Sequence, residues 1–209
     1  IRLVYDTSSN PYYNDMASII NLADEKSTDT PRILMHNKFM IFDNSKVITG
    51  SMNFARTGFS GFNTDCVIFI NSAETAKIYE EEFNQMMEGK FHTLKSNVSH
   101  KTVLLNQTRL TPLFSPKDKI IINTIIPLIN KAKNYIYIPA FIITHEELSY
   151  SLINARKRGV DVKLIIDAAN SYGSRSKVKK LREAGIPVKI ENYAGKVHSK
   201  SIIIDDKYI

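Results

Sequence analysis

The stretch His36-Asn37-Lys38-Phe39-Met40-Ile41-Phe42-Asp43 has a second copy near the other end of the chain, His198-Ser199-Lys200-Ser201-Ile202-Ile203-Ile204-Asp205. Both copies read His-x-Lys-x-x-x-x-Asp, with four mainly apolar residues before the aspartate. An imidazole, an ammonium group and a carboxylate therefore recur at one spacing. Two copies in 209 residues indicate a duplicated half-site, and we predict one site to which both halves contribute.

The repetition extends upstream of the two histidines, which are 162 positions apart. Residues 2–6 and 163–167 each consist of a basic residue, three strand-type residues and an aspartate. A period of this length predicts two domain-sized halves, because solenoid repeats are only about 20–50 residues long. Downstream, Gly50-Ser51-Met52-Asn53 follows the first copy and has no equivalent after the second. We therefore interpret the chain as part of a longer two-repeat protein.

Short apolar runs alternate with helix-type segments, and this pattern predicts an α/β fold with a largely buried sheet. We place one repeat in residues 1–94, a connection in 95–110 and the other repeat in 111–209. Ser115 is expected to cap a helix beginning at Pro116, and Thr144 to open a capping box. The expected strands span residues 1–5, 33–35 with 38–42, 46–49, 65–70, 135–139, 160–166, 187–190 and 197–204. The expected helices span residues 10–23, 73–88, 116–133, 145–158 and 176–184.

The net charge of +7 is unevenly distributed along the chain. Residues 1–94 contain 8 basic and 12 acidic side chains, whereas residues 95–209 contain 20 basic and 9 acidic ones. This asymmetry indicates an anionic partner for the second half, with ordinary solvated lysines as the alternative. The single cysteine, Cys66, excludes an intrachain disulfide and a cysteine-based zinc site. No run of eighteen apolar residues occurs, so the sequence lacks the pattern of a membrane-spanning helix.

The motif residues suit the cleavage of a phosphodiester. Residues two apart on a strand share a face, so we expect His36 beside Lys38 and His198 beside Lys200. Ammonium groups stabilise phosphate charge, one neutral imidazole can attack phosphorus, and a protonated one can donate to the leaving oxygen. Because the lysines supply positive charge, we expect no metal and no other cofactor, and the sequence contains no His-Glu-x-x-His zinc motif.

Three further residues are candidates for the same site. Ser51 and Asn53 offer a hydroxyl and an amide as donors to phosphate oxygens. Asp65 could accept a hydrogen bond from a histidine ring and fix the tautomer of that ring. We therefore assign Ser51 and Asn53 to phosphate binding and Asp65 to support of a histidine.

The combination of His-x-Lys-x(4)-Asp with Gly-Ser-x-Asn resembles the signature of the phospholipase D superfamily. The resemblance implies two α/β/α sandwich repeats related by a pseudo-two-fold, with a shared active site between them. It also implies a metal-free reaction through a covalent phosphohistidine intermediate. The residues that carry it are His36, Lys38, Asp43, Gly50, Ser51 and Asn53 in the first copy, and His198, Lys200 and Asp205 in the second.

The resemblance also suggests individual roles. It implies His36 as the nucleophile and the other histidine as acid and then base, with Asp43 and Asp205 as supporting groups. The segment Asn63-Thr64-Asp65-Cys66 resembles the family's Asn-x-Glu-Asn, in which the glutamate orients the histidine. Asp65 is shorter than that glutamate, and Cys66 replaces the second asparagine, so this role stays open at the level of sequence.

The resemblance leaves the substrate open between lipid and nucleic acid. We expect a hydrolase or phosphatidyl transferase of phospholipase D type, with a DNA or RNA endonuclease as the alternative. A non-catalytic nucleic-acid-binding module is a third hypothesis. The expected partners are a phosphodiester substrate, either a phospholipid headgroup or a nucleic acid, and peripheral contact with an anionic membrane. We expect a monomeric pseudo-dimer. An apolar rim would favour lipid, and a basic groove would favour nucleic acid.

Overall fold

The computed structural model describes residues 1–7, 14–29, 34–99 and 102–209. Their contacts define two compact units. The first unit contains Ile1–Ile48 and Phe69–Lys119, and the second contains Thr49–Ile68 and Ile120–Ile209. The segment that follows the first motif therefore belongs to the second unit. These units are defined by contacts, and the repeat boundaries at residues 95 and 110 stay a prediction.

Strands and helices alternate along most of the chain. The strands are β1 (Arg2–Tyr5), β2 (Glu25–Thr28), β3 (Phe39–Phe42), β4 (Lys46–Gly50), β5 (Val67–Asn71), β6 (Val103–Leu105), β7 (Thr108–Leu110), β8 (Tyr135–Ala140), β9 (Asp161–Asp167), β10 (Val188–Glu191) and β11 (Ile203–Ile204). The helices are α1 (Asn14–Leu22), α2 (Arg56–Phe59), α3 (Ala73–Met87), α4 (Ile126–Lys131), α5 (Glu146–Lys157), α6 (Ala168–Ser171) and α7 (Val178–Glu183). A 3₁₀ turn covers His92–Leu94, and a π-helical segment, Ile121–Ile125, leads into α4. Across the described residues, no helix has the length and apolar character needed to cross a membrane.

The first unit packs α3 beside small sheets. β1 and β2 pair in parallel, and β3, β4 and β5 form a three-stranded sheet in that order. As the sequence predicts, Ser72 caps α3 by accepting a hydrogen bond from the Thr75 N–H at 3.1 Å. The helix gives way to a left-handed Gly89 with φ 77°. The buried core of this unit consists of Val47, Ile70, Ala76, Ile78, Tyr79, Val98, Val103 and Phe114.

The second unit has a four-stranded sheet in the order β10-β9-β8-β11. The first three strands are parallel and β11 is antiparallel to β8. Along β9, buried Val162, Leu164 and Ile166 alternate with exposed Lys163 and Ile165. This strand, expected as part of a largely buried sheet, therefore buries one face, whose residues share one apolar core with helix residues such as Leu152 and Leu181.

The duplication visible in the sequence is also present in the strand pairing. Leu3 of β1 lies opposite Lys26 of β2, and 161 positions later Leu164 of β9 lies opposite Val188 of β10. Both pairs of strands are parallel. The chain is therefore an α/β protein in which the strand pair before each motif has been repeated.

Each motif aspartate begins a tight turn. In both turns the two central residues are left-handed: Asp43 and Asn44 with φ 48°, and Asp205 and Asp206 with φ 55° and 52°. The closing hydrogen bonds run from the Ser45 N–H to the Phe42 carbonyl at 3.0 Å and from the Lys207 N–H to the Ile204 carbonyl at 2.9 Å. Two left-handed central residues define a type I′ turn, which Asp and Asn adopt more readily than other side chains. The aspartate of the motif is thus a turn residue in both copies.

The strands expected across the motifs are shorter than the sequence predicts. β3 begins only at Phe39, after His36 and Lys38. In the second copy, regular pairing is confined to Ile203–Ile204, with a single bridge from Lys200 to β8. The prediction that each His-x-Lys pair lies on a regular strand is therefore wrong.

Pro139 explains the interruption in the second copy. It lies in β8 opposite Ser201 and accepts a hydrogen bond from the Ser201 N–H at 3.3 Å. Because proline has no N–H to return the bond, the ladder between β8 and β11 is broken at this position.

Two expected caps also differ from the structure. Ser115 and Pro116 lie in a turn and do not open a helix, and the peptide bond between them is cis. His145, and not Thr144, caps α5, because its Nδ1 accepts from the Leu148 N–H at 3.3 Å. Residues 95–110 contain the β6–β7 hairpin, whose Val103 is part of the first unit's core.

A buried ion pair supports the first unit. Glu82 of α3 and Lys95 have side chains that are only 1% and 5% exposed, and they bond to each other. The Lys95 ammonium also donates to the Ser115 carbonyl at 2.9 Å. The Asn37 amide, from the first motif, donates to Glu82 Oε1 at 3.1 Å. Each charge therefore has a partner in the interior, and the motif is tied to α3.

We predict that Glu82→Ala strongly destabilises the protein. The substitution leaves the Lys95 ammonium buried without its carboxylate, which typically lowers the free energy of unfolding by about 3–5 kcal/mol. Urea unfolding followed by circular dichroism measures the change. Glu80→Ala, on the same helix, is the control and should change the free energy by less than about 0.5 kcal/mol. Equal effects of the two substitutions would show that the buried pair contributes nothing specific.

Candidate active site

A carboxylate–imidazole pair lies in the second unit. His198 Nδ1 and Asp65 Oδ1 are 2.8 Å apart, and the two side chains are 10% and 7% exposed. With Nδ1 engaged by the carboxylate, Nε2 is the ring nitrogen left for chemistry. The pair joins residues 133 positions apart, and in sequence terms it joins the segment after the first motif to the second motif.

Backbone pairing holds these two residues together. The His198 N–H donates to the Thr64 carbonyl at 3.0 Å, and the Thr64 N–H donates to the Lys196 carbonyl at 2.8 Å. The Tyr193 hydroxyl adds a third connection, since it lies 2.7 Å from Thr64 Oγ1 and donates to the Lys196 carbonyl at 2.6 Å. The geometry of Asp65 and His198 is thus set mainly by main-chain atoms.

Ser51 extends the pair into a chain of hydrogen bonds. Its hydroxyl donates to Asp65 Oδ1 at 2.7 Å and accepts from the Cys66 N–H at 2.9 Å. Gly50 is required for this approach: its φ is +146°, and a Cβ there would lie 2.1 Å from the Cys66 carbonyl oxygen. The Gly-Ser of the Gly-Ser-x-Asn segment therefore orients Asp65.

Lys200 and Phe141 border His198. The Phe141 ring meets the imidazole edge-on at 5.5 Å, and the Lys200 ammonium lies 5.6 Å from the same aromatic ring. Burial lowers the pKa of Lys200 below its ordinary value, and the Asp65 carboxylate acts in the opposite direction. An ammonium beside a histidine is suited to contact a phosphate oxygen.

The lysine geometry is the same in both copies of the motif. Lys38 Nζ donates to the His36 carbonyl at 2.9 Å, and Lys200 Nζ donates to the His198 carbonyl at 2.7 Å. His36 and Lys38 belong to the first unit, where His36 is exposed and Lys38 is half-buried. The local conformation of His-x-Lys is therefore repeated along with its sequence.

The residue between histidine and lysine anchors the motif in each copy. Asn37 donates to buried Glu82 in the first unit. In the second unit, the Ser199 hydroxyl donates to the Thr64 carbonyl at 3.1 Å. Because this middle side chain is bonded to the scaffold, the flanking histidine and lysine are positioned by it.

The two motif aspartates differ in their partners. Asp205 accepts from the N–H groups of Lys133, Asn134 and Tyr135 at 2.7, 2.8 and 2.9 Å. These donors lower the pKa of Asp205 below its ordinary value. Asp43 is exposed and has no hydrogen-bond partner among the described residues. The partners of Asp205 within the second unit are thus main-chain groups at the start of β8, and the supporting role of both aspartates stays a prediction.

The second unit gathers Ser51, Asp65, His198 and Lys200 from the predicted set. Asn53 lies on the same segment as Ser51, and its carbonyl accepts from the Ala55 N–H at 2.8 Å. Phe141 was missed by sequence reasoning, although it directly follows β8, a strand end where site residues often lie. Within the described ranges, no three His, Cys, Asp or Glu side chains are grouped closely enough to hold a metal ion.

Comparison with known families gives the class of the protein. A family model described as cardiolipin synthase, PLD-like domain, matches residues 1–87 and residues 125–209. The two matched segments correspond to the two copies of the motif and together exceed half of the chain. The chain therefore belongs to the phospholipase D-like family of phosphodiester enzymes.

Individual relatives are similar over part of their length. A phospholipase D of Rickettsia conorii is 34% identical over 108 residues, which is 50% of this chain and 52% of the relative. A phospholipase D of Rickettsia typhi is 38% identical over 85 residues, or 41% and 42% of the two chains. The chain thus spans about half the length of these curated relatives. The crystal structure of phosphatidylserine synthase from Haemophilus influenzae covers 83% of this chain and 52% of its own, with TM-score 0.60 and 14% identity, and shows the fold alone.

We predict that the contribution of Asp205 to stability depends on pH. Because the pKa of Asp205 is lowered in the folded state, its carboxylate stabilises the folded protein at pH values above the unfolded-state pKa of about 3.9. This stabilisation is lost as the pH falls through the folded-state pKa. Asp205→Asn should lower the urea midpoint at pH 7, and the difference from wild type should shrink below about pH 4.

Asp43→Asn is the matched control, because it changes the same position of the other type I′ turn, where the structure describes no hydrogen-bond partner. This variant should have the same urea midpoint as wild type both at pH 7 and below about pH 4. An Asp205 effect that is constant from pH 7 to pH 3 would contradict the role of the three N–H donors.

Proposed function

We propose that this chain carries the catalytic groups of a metal-independent phospholipase D-type phosphodiesterase, which works through a phosphohistidine intermediate. The observation that carries the proposal is the Ser51–Asp65–His198 hydrogen-bond chain with Lys200 beside it. Membership of the family and the repeated local geometry of the His-x-Lys motifs support it. In this proposal His36 and His198 act in one reaction.

The proposed reaction has two steps. In the first, neutral His36 attacks phosphorus, a P–N bond forms, and the bond from phosphorus to the leaving oxygen breaks as His198 donates a proton to that oxygen. In the second, His198 removes a proton from water or an alcohol, whose oxygen attacks phosphorus and breaks the P–N bond. Water gives hydrolysis and an alcohol gives transfer.

The surroundings of His198 favour it as the acid and base. A carboxylate bonded to one ring nitrogen holds the ring orientation and stabilises the positive charge that the ring carries when protonated. Asp65 occupies this position at 2.8 Å. The ammonium groups of Lys38 and Lys200, with Ser51 and Asn53, are proposed to bind the non-bridging oxygens of the phosphate. Asp43 and Asp205 would support the motif through its turns.

A phospholipid is the leading substrate. The relatives from Rickettsia are named phospholipase D, and the matching family is described as cardiolipin synthase-like. Nucleic acid is the second candidate, because the chain carries a net charge of +7 and a phosphodiester of either kind offers the same reacting group.

We predict that His36→Asn and His198→Asn each abolish turnover, because one histidine cannot supply both the nucleophile and the acid. The loss should be at least about 1,000-fold in kcat, measured on a chromogenic phosphodiester. His145→Asn is the control: His145 only caps α5, asparagine is a good N-cap, and activity should be retained.

The two-histidine proposal fails if either variant keeps more than about a tenth of wild-type turnover, which corresponds to a barrier change below about 1.4 kcal/mol. Circular dichroism spectra of the three variants should match that of wild type. This control separates loss of chemistry from loss of fold.

We predict that turnover survives an excess of chelator, because ammonium groups supply the positive charge that a metal ion would otherwise provide. Initial rates with and without EDTA measure this directly, with a zinc-dependent phosphodiesterase as the positive control. Complete loss of activity that is restored by a divalent cation would contradict a metal-independent mechanism.

A further inference from the structure

The segment between Asn53 and Asp65 exposes aromatic side chains. Phe59 at the end of α2 is 63% exposed, and Phe62 is 50% exposed. Phe59 stacks on Phe54 with ring centroids 6.3 Å apart and an interplanar angle of 23°. Large apolar side chains grouped on a surface segment mark a binding surface more often than single ones do. We call residues 54–62 the aromatic segment.

The aromatic segment is continuous with the candidate active site. Ser51 and Asp65, which form the hydrogen-bond chain to His198, lie directly on either side of it. Phe62 also lines a cleft with Tyr193 and Lys196. The backbone of Phe62 approaches so closely that a Cβ on Gly195 would lie 1.7 Å from the Phe62 carbonyl oxygen. The segment is therefore held against the loop that leads from β10 to His198.

The charge of the protein is concentrated in the same unit. The second unit contains 16 basic and 9 acidic side chains, which gives the whole net charge of +7, whereas the first unit contains 12 of each. Arg56 and Lys196 are the basic side chains nearest in sequence to the exposed phenylalanines and the cleft. The cleft is also lined by acidic Asp167 and Glu191, so the attraction to an anionic lipid interface comes from the net charge of the unit as a whole.

We propose that the aromatic segment docks the protein on an anionic phospholipid surface, with Phe59 and Phe62 inserted at the level of the acyl chains. This inference rests on the proposed function and names lipid as the substrate class of the same site. Phenylalanine has no charged or hydrogen-bonding side-chain group with which to contact a nucleic-acid backbone. One face of Phe59 is also already covered by Phe54. The two exposed phenylalanines are therefore less suited to stacking on bases than to insertion into lipid.

The test compares vesicle binding of the whole chain in three forms: wild type, Phe59→Ser/Phe62→Ser, and Leu104→Ser. Leu104 is 66% exposed on β6 of the first unit, so the last variant is matched for loss of exposed apolar surface. Binding is measured by sedimentation with phosphatidylcholine vesicles containing phosphatidylglycerol, and in parallel with a single-stranded 30-mer DNA. Turnover of a soluble chromogenic phosphodiester is measured for all three.

The double variant should partition onto vesicles about thirtyfold more weakly, as expected when two half-exposed phenylalanines no longer leave water. Leu104→Ser should bind like wild type, and all three should hydrolyse the soluble substrate equally. Unchanged vesicle binding by the double variant, a selective loss of DNA binding, or a change of oligomeric state without loss of vesicle binding would overturn the inference. Failure of wild type to cleave the soluble substrate would instead refute the proposed function, and vesicle binding would still decide the docking.

Discussion

The hydrogen bond between Asp65 and His198 is the constraint on which the candidate site depends. It links residues 133 positions apart, and both side chains are almost fully buried. The carboxylate can reach the ring because the Thr64 N–H donates to the Lys196 carbonyl and the Thr64 carbonyl accepts from the His198 N–H. The second histidine is therefore oriented by the segment that follows the first motif. The second copy of the motif therefore depends on a carboxylate that lies far from it in the sequence.

The motif serves structure as much as chemistry. Its aspartate forms a type I′ turn in both copies, its middle residue bonds to the scaffold, and its lysine folds back on the histidine carbonyl. Each of these contacts restricts the conformation of the histidine before any substrate is present. A site that must hold a nucleophile and an acid in register requires such restriction. The spacing of the motif can thus be understood as the number of residues that separates the motif histidine from the turn that follows its strand.

The repeat, most strands and the α/β class could be predicted from the sequence, because they follow from periodicity and spacing. What could not be predicted depends on contacts between distant residues. β2 has the polar sequence Glu25-Lys26-Ser27-Thr28 and forms only because β1 lies beside it. Glu82 and Lys95 are residue types that usually lie on the surface, yet both are buried here and form an ion pair with each other. The reach of Asp65 to His198 could not be judged from side-chain length, since the backbone pairing at Thr64 determines it.

Selection of the substrate must come from outside the reacting groups. In the proposed reaction two histidines and two lysines would recognise the phosphate, and the phosphate is the part that a phospholipid and a nucleic acid share. Discrimination between these two substrates therefore depends on the protein surface on either side of the bound phosphate. In this chain all of the excess positive charge lies in the second unit, which would attract either polyanion from a distance. Exposed Phe59 and Phe62 add an apolar surface that the acyl chains of a lipid interface would bury, and this favours lipid over nucleic acid.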